Sequence, residues 1–281
     1  MIDASRTPAD LTIQPRNYRF QSEQAEGRWW LNGDPLATAW HNALSGTFPE
    51  GEKLFIEAVA RFKDRVGEPL RGQIAAFVRQ EAAHTREHLA FNQALARRYN
   101  MSGIEIRTLN RVAFARTRPH LGQLAATAAL EHFTAILAHD ALTHPEDFDG
   151  APEALVKLWR WHAVEEIEHK AVAFDVLAAV MADLPPVRRW MMRSISMALI
   201  TLAFGHSMIV NTADLLRQDG IEPRSMRGAA WRYFVFGKPG VLRRILPHYL
   251  AWYRPGFHPW QKDDRALLAG IEDSLVPAAA V

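Results

Sequence analysis

Apolar residues recur along this chain at intervals of three and four and hardly anywhere at intervals of two. That pattern predicts helices and almost no strand. Four long stripes stand out. The first follows Thr47-Phe48-Pro49, where proline suits a first helical turn, and runs through Phe55, Ile56, Val59, Phe62 and Val66. The second lies on a helix over 70–99 and reads Leu70, Ile74, Phe77, Glu81, His84, His88, Phe91, Leu95. The third, over 121–142, reads Leu121, Leu124, Ala128, Glu131, Ala135, Ala138, Leu142. The fourth, over 153–182 and ended by Pro185-Pro186, reads Leu155, Trp159, His162, Glu166, His169, Ala173, Val176, Val180.

These stripes are apolar at both ends and polar in the middle. Offsets of three and four keep residues on one helix face, so the polar groups share the face that each helix buries. Burying them is costly unless they are paired or bound to a metal. Glu81 with His84, and Glu166 with His169, are the two Glu-x-x-His patterns of the chain. Stepping back along the first stripe reaches Glu52, whereas Glu50 falls with Lys53, Glu57 and Arg61 on the wet face. The third stripe adds Glu131, with small neighbours that leave room for close packing or for a pocket lined by Ala128 and Ala135.

One Glu from each of two helices and a Glu-x-x-His from each of two others is the ferritin-like di-metal arrangement. Four carboxylates balance two divalent cations, and the histidines cap each one. Oxygen and imidazole donors suit iron or manganese, with zinc as a further candidate. His162 lies one turn before Glu166 and adds a seventh ligand candidate. The competing reading is a buried polar network without metal, which is costly. His88 fits either a ligand or a donor behind the ligands. His132 is placed to orient a carboxylate or to pack, and Asp175 to bond a ligand histidine or to sit at the surface. Glu165 and Glu168 fall off the core line, solvated or behind the ligands.

Composition narrows the classes. The 281 residues are 48% hydrophobic and include no cysteine, which excludes disulfide scaffolds, thiolate metal sites and a cysteine nucleophile. The N-terminus lacks the apolar core of a signal peptide, so a cytoplasmic protein is expected. Residues 1–46 are expected to form an N-terminal arm with a short helix over 36–44, residues 47–186 the bundle, and residues 187–281 a basic, apolar helical extension packed on it. Residues 100–118 read as mixed. Residues 187–254 hold 11 Lys/Arg against three Asp/Glu. Within them the apolar run 190–210 admits two readings: a membrane-embedded helix, or a fifth helix packed on the bundle. Pro247 is expected to kink or divide a last helix over 241–252. No nucleic-acid motif accompanies the basic charge.

The four-helix pattern resembles the ferritin-like di-iron carboxylate proteins. His162-x-x-x-Glu166-x-x-His169 is similar to the extra-histidine site of the di-iron arylamine N-oxygenases. The order FPEGEKLF, QEAAHTREH, ALEHFTA, WHAVEEIEHKAVAFDV resembles a bacterial family labelled "predicted metal-dependent hydrolase", over roughly residues 10–255. The resemblance implies an all-α, ferritin-like bundle holding two divalent metals on Glu52, Glu81, His84, Glu131, His162, Glu166 and His169. The expected activity is O₂-dependent oxidation of a small organic substrate. The first alternative is hydrolysis by a metal-activated water. The second is a non-catalytic metal-binding or membrane-associated protein. A homodimer and contact with the inner face of a membrane through 187–254 are further expectations.

Overall fold

A computed structural model describes residues 5–269, together with 271 and 275. The regular secondary structure of the described residues is all helical, with no strand among them. In chain order the helices are α1 (Pro35–Ser45), α2 (Phe48–Ala60), α3 (Leu70–Leu95), α4 (Ser102–Arg116), α5 (His120–Thr143), α6 (Glu153–His169), α7 (Val172–Val180), α8 (Pro186–Gln218), α9 (Arg227–Trp231) and α10 (Val241–Ala251).

Starts and stops follow local chemistry. Asp34 caps α1, accepting from the amides of Leu36 and Ala37 at 2.8 and 3.0 Å, with Pro35 at the first position. Proline immediately precedes α3, α5, α6 and α8, where its missing N–H removes no helical bond. Gly46 joins α1 to α2 at a close approach: a Cβ there would lie 2.8 Å from the Ile104 side chain of α4.

Helix α2 packs on α3, and α5 on α6. Contacts of α2 with α5, and of α3 with α6 and α7, close the bundle. Each stripe is buried as its spacing predicts, and the interior divides into apolar regions with the polar cluster between them. Phe55, Val59, Phe77, Leu124, Ala128 and Val176 belong to one region. Leu36, Phe48, Phe91, Leu95, Leu158 and Trp159 belong to another. The apolar regions clamp the helices at their ends and hold the costly middle in place.

Several expectations change. Residues 102–116, read as mixed, form α4, whose Ile106, Leu109 and Phe114 point outward and blur the helical period. The fourth long helix is not continuous over 153–182. It breaks at Lys170-Ala171, directly after His169. There the buried Lys170 ammonium is held by Asp264 at 2.5 Å and by the Lys262 carbonyl at 2.9 Å. The apolar run 190–210 is the middle of the 33-residue α8, which packs on α1 and α5. Pro247 lies inside α10, which continues through it. The N-terminal arm has no regular secondary structure over 11–21 and is laid onto the bundle, with Ile13 and Arg16 buried.

Candidate metal centre

Helix α2 brings Glu52 to the centre, α3 brings Glu81, His84 and His88, α5 brings Glu131, and α6 brings His162, Glu166 and His169. All eight side chains are buried. Glu81 Oε1 lies 3.2 Å from His169 Nε2, and Glu131 Oε2 lies 3.4 Å from the same nitrogen. Glu166 Oε1 is 3.1 Å from His162 Nε2 and 3.6 Å from His84 Nδ1.

Four triads offer one donor atom per residue with all three atoms within 4.8 Å of one another: Glu52–Glu81–His84, Glu81–Glu166–His169, His84–His162–Glu166 and Glu52–His88–His162. Glu52, Glu81 and Glu166 each belong to two of these triads. Glu131 stands outside the triads, beside His169.

Hydrogen bonds behind the cluster select the nitrogen each histidine presents. Gln80 Nε2 donates to Glu168 Oε2 at 2.7 Å and to the Gln14 carbonyl at 3.2 Å. Its Oε1 therefore accepts from His169 Nδ1 at 2.9 Å, which leaves Nε2 facing the carboxylates. Glu165 Oε2 meets His84 Nε2 at 3.2 Å as a charge contact without hydrogen-bond geometry, and His84 Nδ1 lies on the side of Glu81 and Glu166.

A longer relay sets His162. Asn92 Nδ2 donates to the Ser45 carbonyl at 3.0 Å, so Asn92 Oδ1 takes the Ser45 hydroxyl proton at 2.8 Å. Ser45 Oγ must then accept from His88 Nδ1 at 2.8 Å, and His88 Nε2 must accept from His162 Nδ1 at 2.8 Å. His162 Nε2 is thereby turned toward Glu166. Both nitrogens of His88 are engaged in this relay, which sets it behind His162 and fixes how that ring is aimed.

The electrostatics are those of crowded acids. Burial, and then neighbouring carboxylates, raise Glu52 well above the ordinary range. Burial raises Glu81 likewise, against the pull of His169, and moves Glu131 up to about 7. Burial alone would raise Glu166, but the His169 and His162 imidazoles outweigh it and hold that carboxyl well below its usual range. Burial alone would lower His169, yet Glu166, Glu131 and Glu81 raise it. Burial, with His162 as the next cause, lowers His84 and His88, which are neutral imidazoles.

A divalent cation fits this donor set. One oxygen of Glu52, both oxygens of Glu81 and of Glu131, Glu166 Oε2, His84 Nδ1 and His169 Nε2 are buried with no hydrogen-bond partner. That many unsatisfied acceptors in one place is the deficit a cation would relieve.

Residues outside the expected set complete the site. Arg16 of the arm places its guanidinium on Glu168 at 2.7 and 3.1 Å and donates its amide to Glu165 at 2.9 Å. Glu165 and Glu168 are therefore buried behind the histidines, not solvated. The sequence signal was there: Trp161, Val164 and Ile167 make a second apolar face on α6, which marks a helix buried on both sides. Arg16, Gln80, Ser45 and Asn92 carried no such signal. His132 does not orient Glu131. It bonds the His248 carbonyl at 3.1 Å and packs on Trp252. Asp175 is neither at the surface nor on a ligand histidine, because it bonds His258 at 2.8 Å and the Arg6 amide at 3.0 Å.

An apolar cavity of about 90 Å³ adjoins the cluster, with His162 and Glu166 in its wall. Leu44, Phe48, Ala138, Trp159 and Ala163 line it, and Tyr233, Asp147 and Val241 complete its outer side. Ala128 and Ala135, expected in the lining, are not among its residues. The volume holds several waters or one ring-sized group.

No curated protein and no solved structure matches the chain. The family described as "predicted metal-dependent hydrolase" matches residues 14–263, a span that takes in the Arg16 arm, every ligand candidate and the helices behind them, and the chain belongs to that family.

Proposed function

We propose that this protein is a hydrolase dependent on divalent cations held by Glu52, Glu81, His84, Glu131, His162, Glu166 and His169. The observation that carries the reading is the concentration of buried, unpartnered oxygens and nitrogens beside an apolar cavity. Membership of the family supports hydrolysis. A bound divalent cation supplies Lewis acidity toward a polar substrate bond and toward water.

The chain's own residues do the rest. Glu166 and His162 are where the ligand cluster meets the cavity, so the polar end of a substrate would lie against them. Phe48, Trp159, Leu44 and Ala163 would hold its apolar part and exclude bulk water, which strengthens every charge interaction inside. Gln80, Glu165 and His88 keep the imidazoles in fixed orientation and so preserve the geometry between turnovers. A small, largely apolar molecule with one hydrolysable bond fits these walls.

A second reading, oxidation of an apolar substrate by O₂, is favoured by one observation. The carboxylates and Glu-x-x-His pairs come from four helices in the distribution of ferritin-like di-iron proteins.

The deciding experiment combines metal analysis of the purified protein with substrate screening in the presence and absence of O₂. Hydrolysis that persists anaerobically, stops on chelation and disappears in Glu166→Ala supports the first reading. Iron content with turnover only in O₂ would replace it by the second. Failure to bind any divalent cation under all loading conditions would sink both.

A further inference from the structure

The last third of the chain presents an apolar surface that the fold leaves uncovered. On α8 the residues turned away from the bundle are Val187, Met191, Ile195, Leu199, Leu202 and Ile209, with Leu202 72% exposed. Their spacing places them along one side of the helix, over a length of about 33 Å at the ordinary helical rise. Helix α10 repeats the arrangement. Leu242, Leu246 and Leu250 are exposed at one-turn intervals, while Val241 and Ile245 face the core. The two helices are neighbours, joined by Thr201 Oγ1 and the Tyr249 hydroxyl at 3.0 Å and by Trp190 Nε1 donating to the Tyr253 carbonyl at 2.8 Å. In the chain segment that joins them Trp231 stacks on Phe236 with ring centroids 5.6 Å apart, and Phe236 is 76% exposed. Single exposed apolar residues need no explanation, but rows of them on adjacent helices do.

Charge indicates what covers this face. Exposed Arg224, Arg227, Arg232, Lys238 and Arg243 are interleaved with Trp231, Phe236 and Leu242. Residues 187–254 carry 11 Lys/Arg and three Asp/Glu, a net +8 (11 − 3). A second copy of the chain would set that charge against itself. A bilayer with anionic headgroups complements it, and takes up apolar side chains and interfacial tryptophans beside it.

We propose that this face docks the protein on an anionic lipid bilayer, with α8 and α10 lying in the plane of the interface. Among the described residues, α8 is the one helix long and apolar enough to cross a membrane. Its other side, however, buries Arg193, Met197, Met208, Asn211 and Leu215 within the protein, and the Arg193 guanidinium donates to the Arg254 carbonyl at 2.7 Å and the Phe257 carbonyl at 3.3 Å. Spanning would strip those contacts, whereas lying flat keeps them. The docking segment also supplies Tyr233 and Val241 to the cavity wall, so the cavity's outer side would be turned toward the lipid.

The test is flotation of the full-length protein with vesicles of phosphatidylglycerol and phosphatidylcholine in equal parts, and with phosphatidylcholine alone, together with its solution mass. Binding to the anionic vesicles, released by high salt or alkaline carbonate, is expected. Arg227→Gln and Arg232→Gln should each weaken it about fivefold. The pair Leu199→Asp and Leu202→Asp should abolish it with circular dichroism and metal content unchanged. If the aspartate pair fails to fold, the arginine variants still decide the matter. Absence of binding at low salt, equal binding to both vesicle types, or retention through carbonate would each overturn the proposal. So would a dimer that the aspartate pair dissociates in a protein that does not float.

Discussion

Nε2 of His88 accepts the Nδ1 proton of His162 at 2.8 Å, and that direction makes His88 a residue that aims a ligand. Groups in this position tune metal affinity because they fix tautomer and ring orientation. Replacing His88 by Leu strands a buried N–H on His162 and should weaken metal retention about 10- to 100-fold. His88→Gln keeps an acceptor and should recover most of the loss. Ser45→Ala removes the group that fixes the His88 tautomer and should fall between the two. Competition against a chelator of known affinity measures all three. Loss in His88→Gln as deep as in His88→Leu would show that His88 is itself a ligand.

Arg16 neutralises Glu168 and caps Glu165 from outside the bundle. Both carboxylates are buried, so removing Arg16 leaves them only the neutral donors of Gln80, Gln14 and Trp161. Arg16→Leu should destabilise the fold by about 3–5 kcal/mol, the usual cost of breaking a buried pair from one side. Urea unfolding measures this, and Arg16→Lys, which cannot grip Glu168 with two nitrogens, should fall in between. A loss no larger than that of an exposed pair, about 1 kcal/mol or less, would mean that water reaches Glu165 and Glu168.

The pattern of each stripe foretold which way Glu52 and Glu50 point, because on α2 a two-residue offset separates the buried face from the wet one. Glu52 is buried, and Glu50 pairs with Lys53 at 2.6 Å. The same logic left Glu165 and Glu168 open between water and a place behind the ligands, and the structure takes the second. A single-stripe reading assumes that one side of a helix meets water, but α6 is covered on its far side by Gln14, Arg16 and Phe20 of the arm. Arg16 and Gln80 were illegible for a related reason. Their partners lie 66 to 152 residues away in sequence, and nothing in local periodicity encodes such a meeting. α4 was hidden by its outward Ile106, Leu109 and Phe114, and α8 carries outward apolar residues of the same kind, which blur its period in the same way.

Metal loading should depend on pH with a definite sign. Burial moves Glu131 up to about 7 and raises Glu52 and Glu81 as well, so protons compete with the cation for these oxygens. Affinity should therefore fall as pH drops below about 7, by up to about tenfold per pH unit for each proton displaced, and level off above the highest of these values. Titration of chelator-stripped protein in weakly buffered solution should show proton release in the same range. Affinity that does not change between about pH 5 and pH 8 would contradict this account of the cluster.

Acids crowded for a cation are a liability without one. In chelator-stripped protein Glu131→Gln removes a carboxylate that burial and Glu166 disfavour, so it should raise stability by about 1 kcal/mol while lowering metal affinity. The comparison separates the two readings of the buried cluster. A self-sufficient polar network would lose stability on that substitution, because each member would be holding the others in place. Thermal unfolding with and without added cation gives the answer: the variant should unfold above the parent when both are stripped, and below it when both are loaded, since a ligand stabilises by about 2.7 kcal/mol at a hundred times its dissociation constant.

The cavity makes a prediction that is independent of which reaction proves correct. Ala141 lines it from α5 and is only half-buried, unlike Ala138 and Ala163, so a larger side chain can enter without the strain of overpacking a closed core. Ala141→Leu should leave metal content and stability unchanged, because Ala141 is neither one of the ligand candidates nor a member of the relay behind them. It should also shift selectivity toward smaller substrates, lowering kcat/KM for a ring-sized substrate about tenfold relative to one shorter by a few atoms. Steady-state kinetics on such a pair measures the ratio. An unchanged ratio would mean that substrate reaches Glu166 by another route, and the walls formed by Phe48, Trp159 and Tyr233 would then be packing alone.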